Sequence, residues 1–116
     1  MKRPVPLPGG ELEYAVLATV WELEEASVRE IHERVGQPSK LAYTTTAKVL
    51  DRLHIKGLVS RERKSKAFVY RAKLARGIVE KARAQVTLSR LLGAAPHAAV
   101  GALMETVESL NPARRA

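Results

Sequence analysis

Residues 41–72 read LAYTTTAKVLDRLHIKGLVSRERKSKAFVYRA. The first half has helical period: Thr46, Val49, Leu50 and Leu53 recur at spacings of three and four and make one inward stripe, while Thr44, Ala47, Lys48, Asp51 and Ile55 point elsewhere. Gly57 stops that helix, because a residue without a Cβ takes the left-handed conformation of a helix end at little cost. From Leu58 the period becomes that of strands. An extended run to Arg63 meets a polar tip, Lys64-Ser65-Lys66, and a return run puts Phe68 and Tyr70 on one face and Val69 and Arg71 on the other. Helix, glycine and basic hairpin in this order predict a winged helix-turn-helix.

Between Lys48 and Lys73 nine Lys or Arg stand against two acids, so this stretch carries +7 of the chain's formal +8. The charge lies where a DNA backbone would run, on the helix end and the wing. In such a motif the N-terminal half of the helix enters the major groove, so the first exposed side chains, Tyr43, Thr44, Ala47 and Lys48, are the candidates for meeting base edges. Thr44 offers a hydroxyl or a methyl and Lys48 donates to guanine, which makes them the reading pair. Thr45, also counted among the reading candidates, sits near the helix start and is expected to cap it or to meet phosphate. Arg52 and Lys56, one turn apart, suit phosphate contacts, and Arg61, Arg63, Lys64 and Lys66 would hold the wing against a minor groove or backbone.

Upstream, three prolines and two glycines within residues 1–10 predict an extended, flexible N-terminal arm. Lys2 and Arg3 either reach a DNA backbone from there or belong to a solvated tail. From Glu11 to about Glu24, Leu12, Val16 and Val20 lie on one helical line with Leu17 and Trp21 beside it, and Glu11 and Glu13 favour the positive end of the helix dipole. Trp21 reads as a core residue whose indole N–H needs an acceptor near the core edge. Ser27-Val28-Arg29-Glu30 fits a capping box opening a second helix, which buries Val28, Ile31 and Val35 and ends at Gly36. His32 lies beside that stripe as a surface or edge residue.

Downstream of Lys73 the composition turns to Ala-rich helix. Residues 75–92 carry a broad apolar side, Gly93-Ala94-Ala95-Pro96 breaks the run, and a second helix follows to Leu110. Leu88, Leu91, Leu92, Val100, Leu103, Met104, Val107 and Leu110 form stripes that an already complete small domain leaves uncovered. A second copy of the chain is the economical cover; the alternative is a last helix folded back on its own winged domain. The organisation expected is an arm at 1–10, a winged-helix domain at 11–74, a helical dimerisation segment at 75–110 and a frayed end at 111–116. The fold class is therefore α+β, mainly helical.

A chain of 116 residues allows one small domain with an appended helical segment. The absence of cysteine removes disulfides, thiolate metal sites and cysteine nucleophiles, and suits a reducing cytoplasm. His32, His54 and His97 lack ligand spacing, so neither a metal nor a cofactor is expected. No segment has signal-peptide or membrane-spanning character, which predicts a soluble cytoplasmic protein. Glu22, Glu24, Glu25, Glu30 and Glu33 read as solvated charge beside Arg29 and Arg34, and no phosphate-cradling loop or HExxH is present, so an enzyme is not expected. The remaining alternative is a winged-helix protein-interaction or architectural module without operator specificity.

LEYAVLATVW with Trp21, SVREIHERV, and the 41–72 stretch together resemble the penicillinase and methicillin-resistance repressor family of BlaI/MecI-like winged-helix regulators. The resemblance is close over about residues 10–75 and looser over 76–110, where the family has dimerisation helices. It implies a homodimer on double-stranded DNA that represses from a palindromic operator, with Thr44, Thr45 and Lys48 in the groove. Two departures stand out. In antibiotic-responsive members a membrane metalloprotease sensor cuts an Asn-Phe bond in the second dimerisation helix, and the matching pair here is Ala102-Leu103, so the resemblance does not carry that route of induction over and the upstream sensor is unknown. Many relatives continue past Asn111 with an acidic helix, which predicts a weaker dimer here, and copper-responsive relatives use a cysteine cluster that this sequence lacks.

Overall fold

A computed structural model describes residues 4–110 and arranges them as α1 (Glu11–Leu23), β1 (Glu25–Ser27), α2 (Val28–Ile31) continued by a π turn (His32–Gly36), α3 (Tyr43–Ile55), β2 (Val59–Lys64), β3 (Ala67–Ala72), α4 (Arg76–Ala94) and α5 (Pro96–Leu110). Lys2, Arg3 and the stretch 111–116 lie outside the described residues. The chain divides into two compact units, the first ending at Glu80 and the second beginning at Lys81. It is a winged helix-turn-helix followed by two helices, as the 41–72 stretch predicts.

The core of the first unit gathers the stripes of all its elements. Val16, Leu17 and Val20 of α1, Ile31 of α2, Val49, Leu50 and Leu53 of α3, Leu58 and Val59 at the start of the wing, Tyr70 of β3 and Val79 of α4 are all buried. Each fully buried Leu or Val adds roughly 1.5–3 kcal/mol of apolar transfer, so α3 is held mainly through its inner face. Val28 and Val35 pack partly buried at the edge of this core. Trp21 finds the acceptor it needs in the Leu74 carbonyl, 3.0 Å from its indole nitrogen. The capping box is complete, with Glu30 N–H donating to the Ser27 hydroxyl at 3.2 Å and Ser27 N–H donating to the Glu30 carboxylate at 3.0 Å.

The sheet is antiparallel in the order β1-β3-β2, with Ser27 opposite Val69 and Arg63 opposite Phe68. β1 was not expected: three residues are too short to show a strand period, and pairing with β3 alone makes them one. α1 accordingly stops at Leu23, with Glu24 taking a left-handed turn (φ 66°) into the strand. Downstream, Gly93 and Ala94 remain helical and the break is confined to Ala95, because Pro96 is tolerated at the first position of α5. Val5 and Leu7 are half-buried against the core, so the proline-rich segment is docked over these residues.

Gly57 ends α3 with φ 83°, as its position implies. Gly36 has another reason to be glycine. It is buried at the end of the π turn, and a Cβ there would overlap the His32 ring and the Thr46 hydroxyl. The second helix thus approaches α3 backbone to side chain. Gly36→Ala is expected to destabilise the fold by about 1–3 kcal/mol through overpacking. Gly77→Ala, whose new methyl meets open space on α4, should be neutral or stabilising by up to about 1 kcal/mol. Urea unfolding of the two variants beside the parent measures both, and equal midpoints would remove the steric reading of Gly36.

Candidate nucleic-acid interface

With Thr46, Val49, Leu50 and Leu53 turned inward, the outer face of α3 is set: Tyr43, Thr44, Lys48, Asp51, Arg52, Ile55 and Lys56 are exposed, and Thr45 and Ala47 are half-buried. Thr45 does not cap the helix. The N-cap is Ala42, which makes no side-chain cap, and Thr45 N–H instead donates to the Ala42 carbonyl at 3.0 Å. Tyr43 is held edge-on to His32, ring centroids 5.4 Å apart, and His32 Nδ1 lies 2.8 Å from the Thr46 hydroxyl. His32 therefore props Tyr43 and Thr46 from beneath the outer face of α3, where the sequence marks only a surface or edge histidine.

The cations of α3 and the wing fall into two sets. Five are engaged by three carboxylates. Glu13 accepts from Lys56 Nζ at 2.6 Å and Arg52 Nε at 3.3 Å, Asp51 from Arg61 at 3.0 Å, and Glu25 from Lys64 at 2.7 Å and Arg71 at 3.1 Å. Arg61 and Arg63 also lie over the Phe68 ring, 4.5 and 5.6 Å from its centroid. In the other set, Lys48, Arg63 and Lys66 have no carboxylate partner among the described residues. Asp51 and Glu25 thus brace the wing against α3 and β1. All three of these pairs are solvent-accessible, where an ion pair contributes only ~0–1 kcal/mol.

Glu13 differs because it is buried, its side chain 9% exposed. Burial opposes its ionisation, but hydrogen bonds from Lys56, the Gly9 N–H and Arg52 together outweigh it and hold the carboxyl below its ordinary value of 4.5. The Lys64 hydrogen bond, then that of Arg71, lowers Glu25 in the same direction. The sequence offers no signal for the Glu13 pairs, whose members are 39 and 43 residues apart; only the helix-dipole role is visible locally. Among the described residues no group of three His, Cys, Asp or Glu side chains is placed to hold a metal ion, and no helix is long and apolar enough to cross a membrane.

The sequence profile of the penicillinase repressor family matches residues 9–114. This chain belongs to that family. Its winged helix and both following helices fall within the matched span of the penicillinase repressor profile. The transcriptional regulator BlaI of Mycobacterium tuberculosis, strains CDC 1551 / Oshkosh and ATCC 25618 / H37Rv, is 42% identical over 62 residues, covering 53% of this chain and 45% of that regulator. The chain thus spans about half the length of the curated relatives it matches. Among solved structures, that of the DNA binding domain of the repressor BlaI superposes with a TM-score of 0.57 at 22% identity, over 67% of this chain and 93% of that one. The PcaV transcriptional regulator from Streptomyces coelicolor, in complex with its natural ligand, gives 0.52 at 23% identity, over 92% and 79%. At these identities the likeness is one of fold.

Because the folded-state pKa of Glu13 is lowered, its stabilising contribution is present above pH about 4.5 and is lost as pH falls through the folded value. Glu13→Gln is expected to cost about 1–2 kcal/mol near neutral pH, with the gap to the parent closing in acid. Urea midpoints across pH 3–7 report this; a gap that stays constant over that range would contradict it.

Proposed function

We propose that this penicillinase repressor family member is a sequence-specific DNA-binding transcriptional repressor. The observation that carries the reading is the outer face of α3, where Thr44 and Lys48 stand exposed one turn apart while the buried stripe holds the helix rigid behind them. Their chemistry suits base edges in a major groove. Tyr43, Thr45 and Ala47 flank that pair. Lys48, Arg63 and Lys66, without carboxylate partners among the described residues, are the cations most available to DNA, with Arg63 and Lys66 reaching backbone or minor groove from the wing. Arg52, Lys56, Arg61 and Lys64 contribute to the same surface with part of their charge already answered.

The working unit in this reading is a homodimer on a palindromic operator. Half-sites about 34 Å apart, or multiples of that, exceed what one small domain reads, and two-fold protein symmetry matches a palindrome. The second unit supports it. Leu88, Leu91, Leu92, Val100, Leu103, Met104, Val107 and Leu110 are all exposed, between 36% and 75%, and α4 and α5 enclose an apolar cleft of about 410 Å³ lined by Leu88, Leu92, Ala99, Ala102 and Leu103 among others. An interface of about 1,200 Å² in total over this surface is of the size that sustains specific association. Ala102-Leu103, in the cleft on α5, stands where antibiotic-responsive members carry Asn-Phe, so release from DNA by cutting that bond is not part of the proposal.

Three outcomes are expected. With an operator selected from a random duplex pool, Lys48→Ala should lose the preference over scrambled DNA by about 1–3 kcal/mol, while Arg63→Ala should weaken both duplexes alike and lower the salt slope by about one; equal affinity of the parent for both duplexes at physiological salt would reject operator recognition. Replacing Leu103 and Val107 together with aspartate should give a folded monomer by sedimentation, with operator affinity down about 10²-fold or more. A parent that is monomeric across micromolar concentrations, with operator binding unaffected by the double change, would remove the dimer. Incubation with a sensor metalloprotease of the family should leave the chain whole, and fragments ending at Ala102 would show otherwise.

A further inference from the structure

The Glu13 carboxylate sits where α1, the segment preceding it and α3 converge. Oε1 accepts from Lys56 Nζ at 2.6 Å and from the Gly9 N–H at 2.9 Å, and Oε2 accepts from Arg52 Nε at 3.3 Å. Its side chain is 9% exposed, whereas those of Arg52 and Lys56 are 53% and 35% exposed. The cations therefore face solvent with their inner donors tied down. A Cβ on Gly9 would come within 2.9 Å of Lys56 Nζ, so the backbone before α1 closes the cluster from the other side.

We propose that Glu13 is a specificity-determining residue for DNA binding, which restrains Arg52 and Lys56 so that they serve one phosphate arrangement in register with the reading face and grip arbitrary DNA poorly. The inference rests on the DNA-binding reading above. Two effects follow from the geometry. One is charge: a buried carboxylate between two cations leaves the cluster a net +1, so it displaces about one counterion from DNA where free side chains would displace two. The other is position. Arg52 follows Lys48 by one helical turn, so a guanidinium fixed at its Nε presents its outer nitrogens to phosphate at a set distance from Lys48. Asp51 and Glu25 hold their cations at exposed sites, where solvent and salt loosen the pairing. Glu13 is the carboxylate of the three that water does not reach freely.

Glu13→Gln removes the charge and keeps the shape; Glu13→Asp keeps the charge and shortens the reach. Both variants are checked for fold by circular dichroism and titrated against the selected operator and a scrambled duplex from 50 to 300 mM salt. Glu13→Gln should bind scrambled DNA more tightly, up to roughly eightfold at 0.1 M salt per protomer, with a slope steeper by about 0.9, and its operator-to-scrambled ratio should fall. Glu13→Asp should leave the slope near that of the parent and still lower the ratio, and it carries the test alone if the glutamine variant does not fold. Unchanged ratios in the folded variants, or equal weakening on both duplexes with a shallower slope, would overturn the inference. A parent without any operator preference would instead overturn the DNA-recognition reading on which it rests.

Discussion

Burial of one face of α3 is the constraint on which the rest of the first unit depends. Thr46, Val49, Leu50 and Leu53 are buried in the core, and once they are inside, every other side chain of the helix has its direction assigned. The one polar member of the stripe, Thr46, is tolerated because its hydroxyl meets His32 at 2.8 Å. Gly36 then has to be glycine, since the turn that delivers His32 passes too close to Thr46 for any side chain. A hydrogen bond, a missing Cβ and an edge-on tyrosine together set the angle at which the outer face of α3 is offered.

Electrostatics acts on that frame as a restraint more than as an excess. The stretch from Lys48 to Lys73 is strongly basic in sequence, yet Glu13, Asp51 and Glu25 answer five cations on α3, β2 and β3. The exposed pairs add little stability and tie the wing only loosely to its neighbours, while the buried carboxylate couples two elements remote in sequence. A basic surface built this way has fewer freely sweeping charges than its composition suggests. Under the proposed DNA-binding function, such a surface would favour defined phosphate contacts over uniform attraction.

The second unit follows a different logic. α4 and α5 carry apolar stripes with no buried residue beyond Val79, which belongs to the core of the first unit. Leucine and valine left 36–75% exposed across α4 and α5 are unusual for a surface that ends at water. The same stripes that define the helices therefore also define the surface most in need of cover.

Local patterns determined much of this protein. The period of α1 and α3, the capping box at Ser27 and Glu30, the helix stop at Gly57, the basic hairpin and the need of Trp21 for an acceptor are all properties of short windows, and short windows are what the chain reads while unfolded. The identity of the outer α3 side chains followed from the same period. What only the tertiary structure decided are the partners. β1 exists because β3 lies beside it, Gly36 is glycine because Thr46 of α3 and the His32 ring close on it, and Glu13 is a buried hub because Arg52 and Lys56 arrive from 39 and 43 residues on. A strand of three residues has no period of its own, and a carboxylate does not announce its distant cation. Both are settled by long-range packing, which periodicity within one element does not encode.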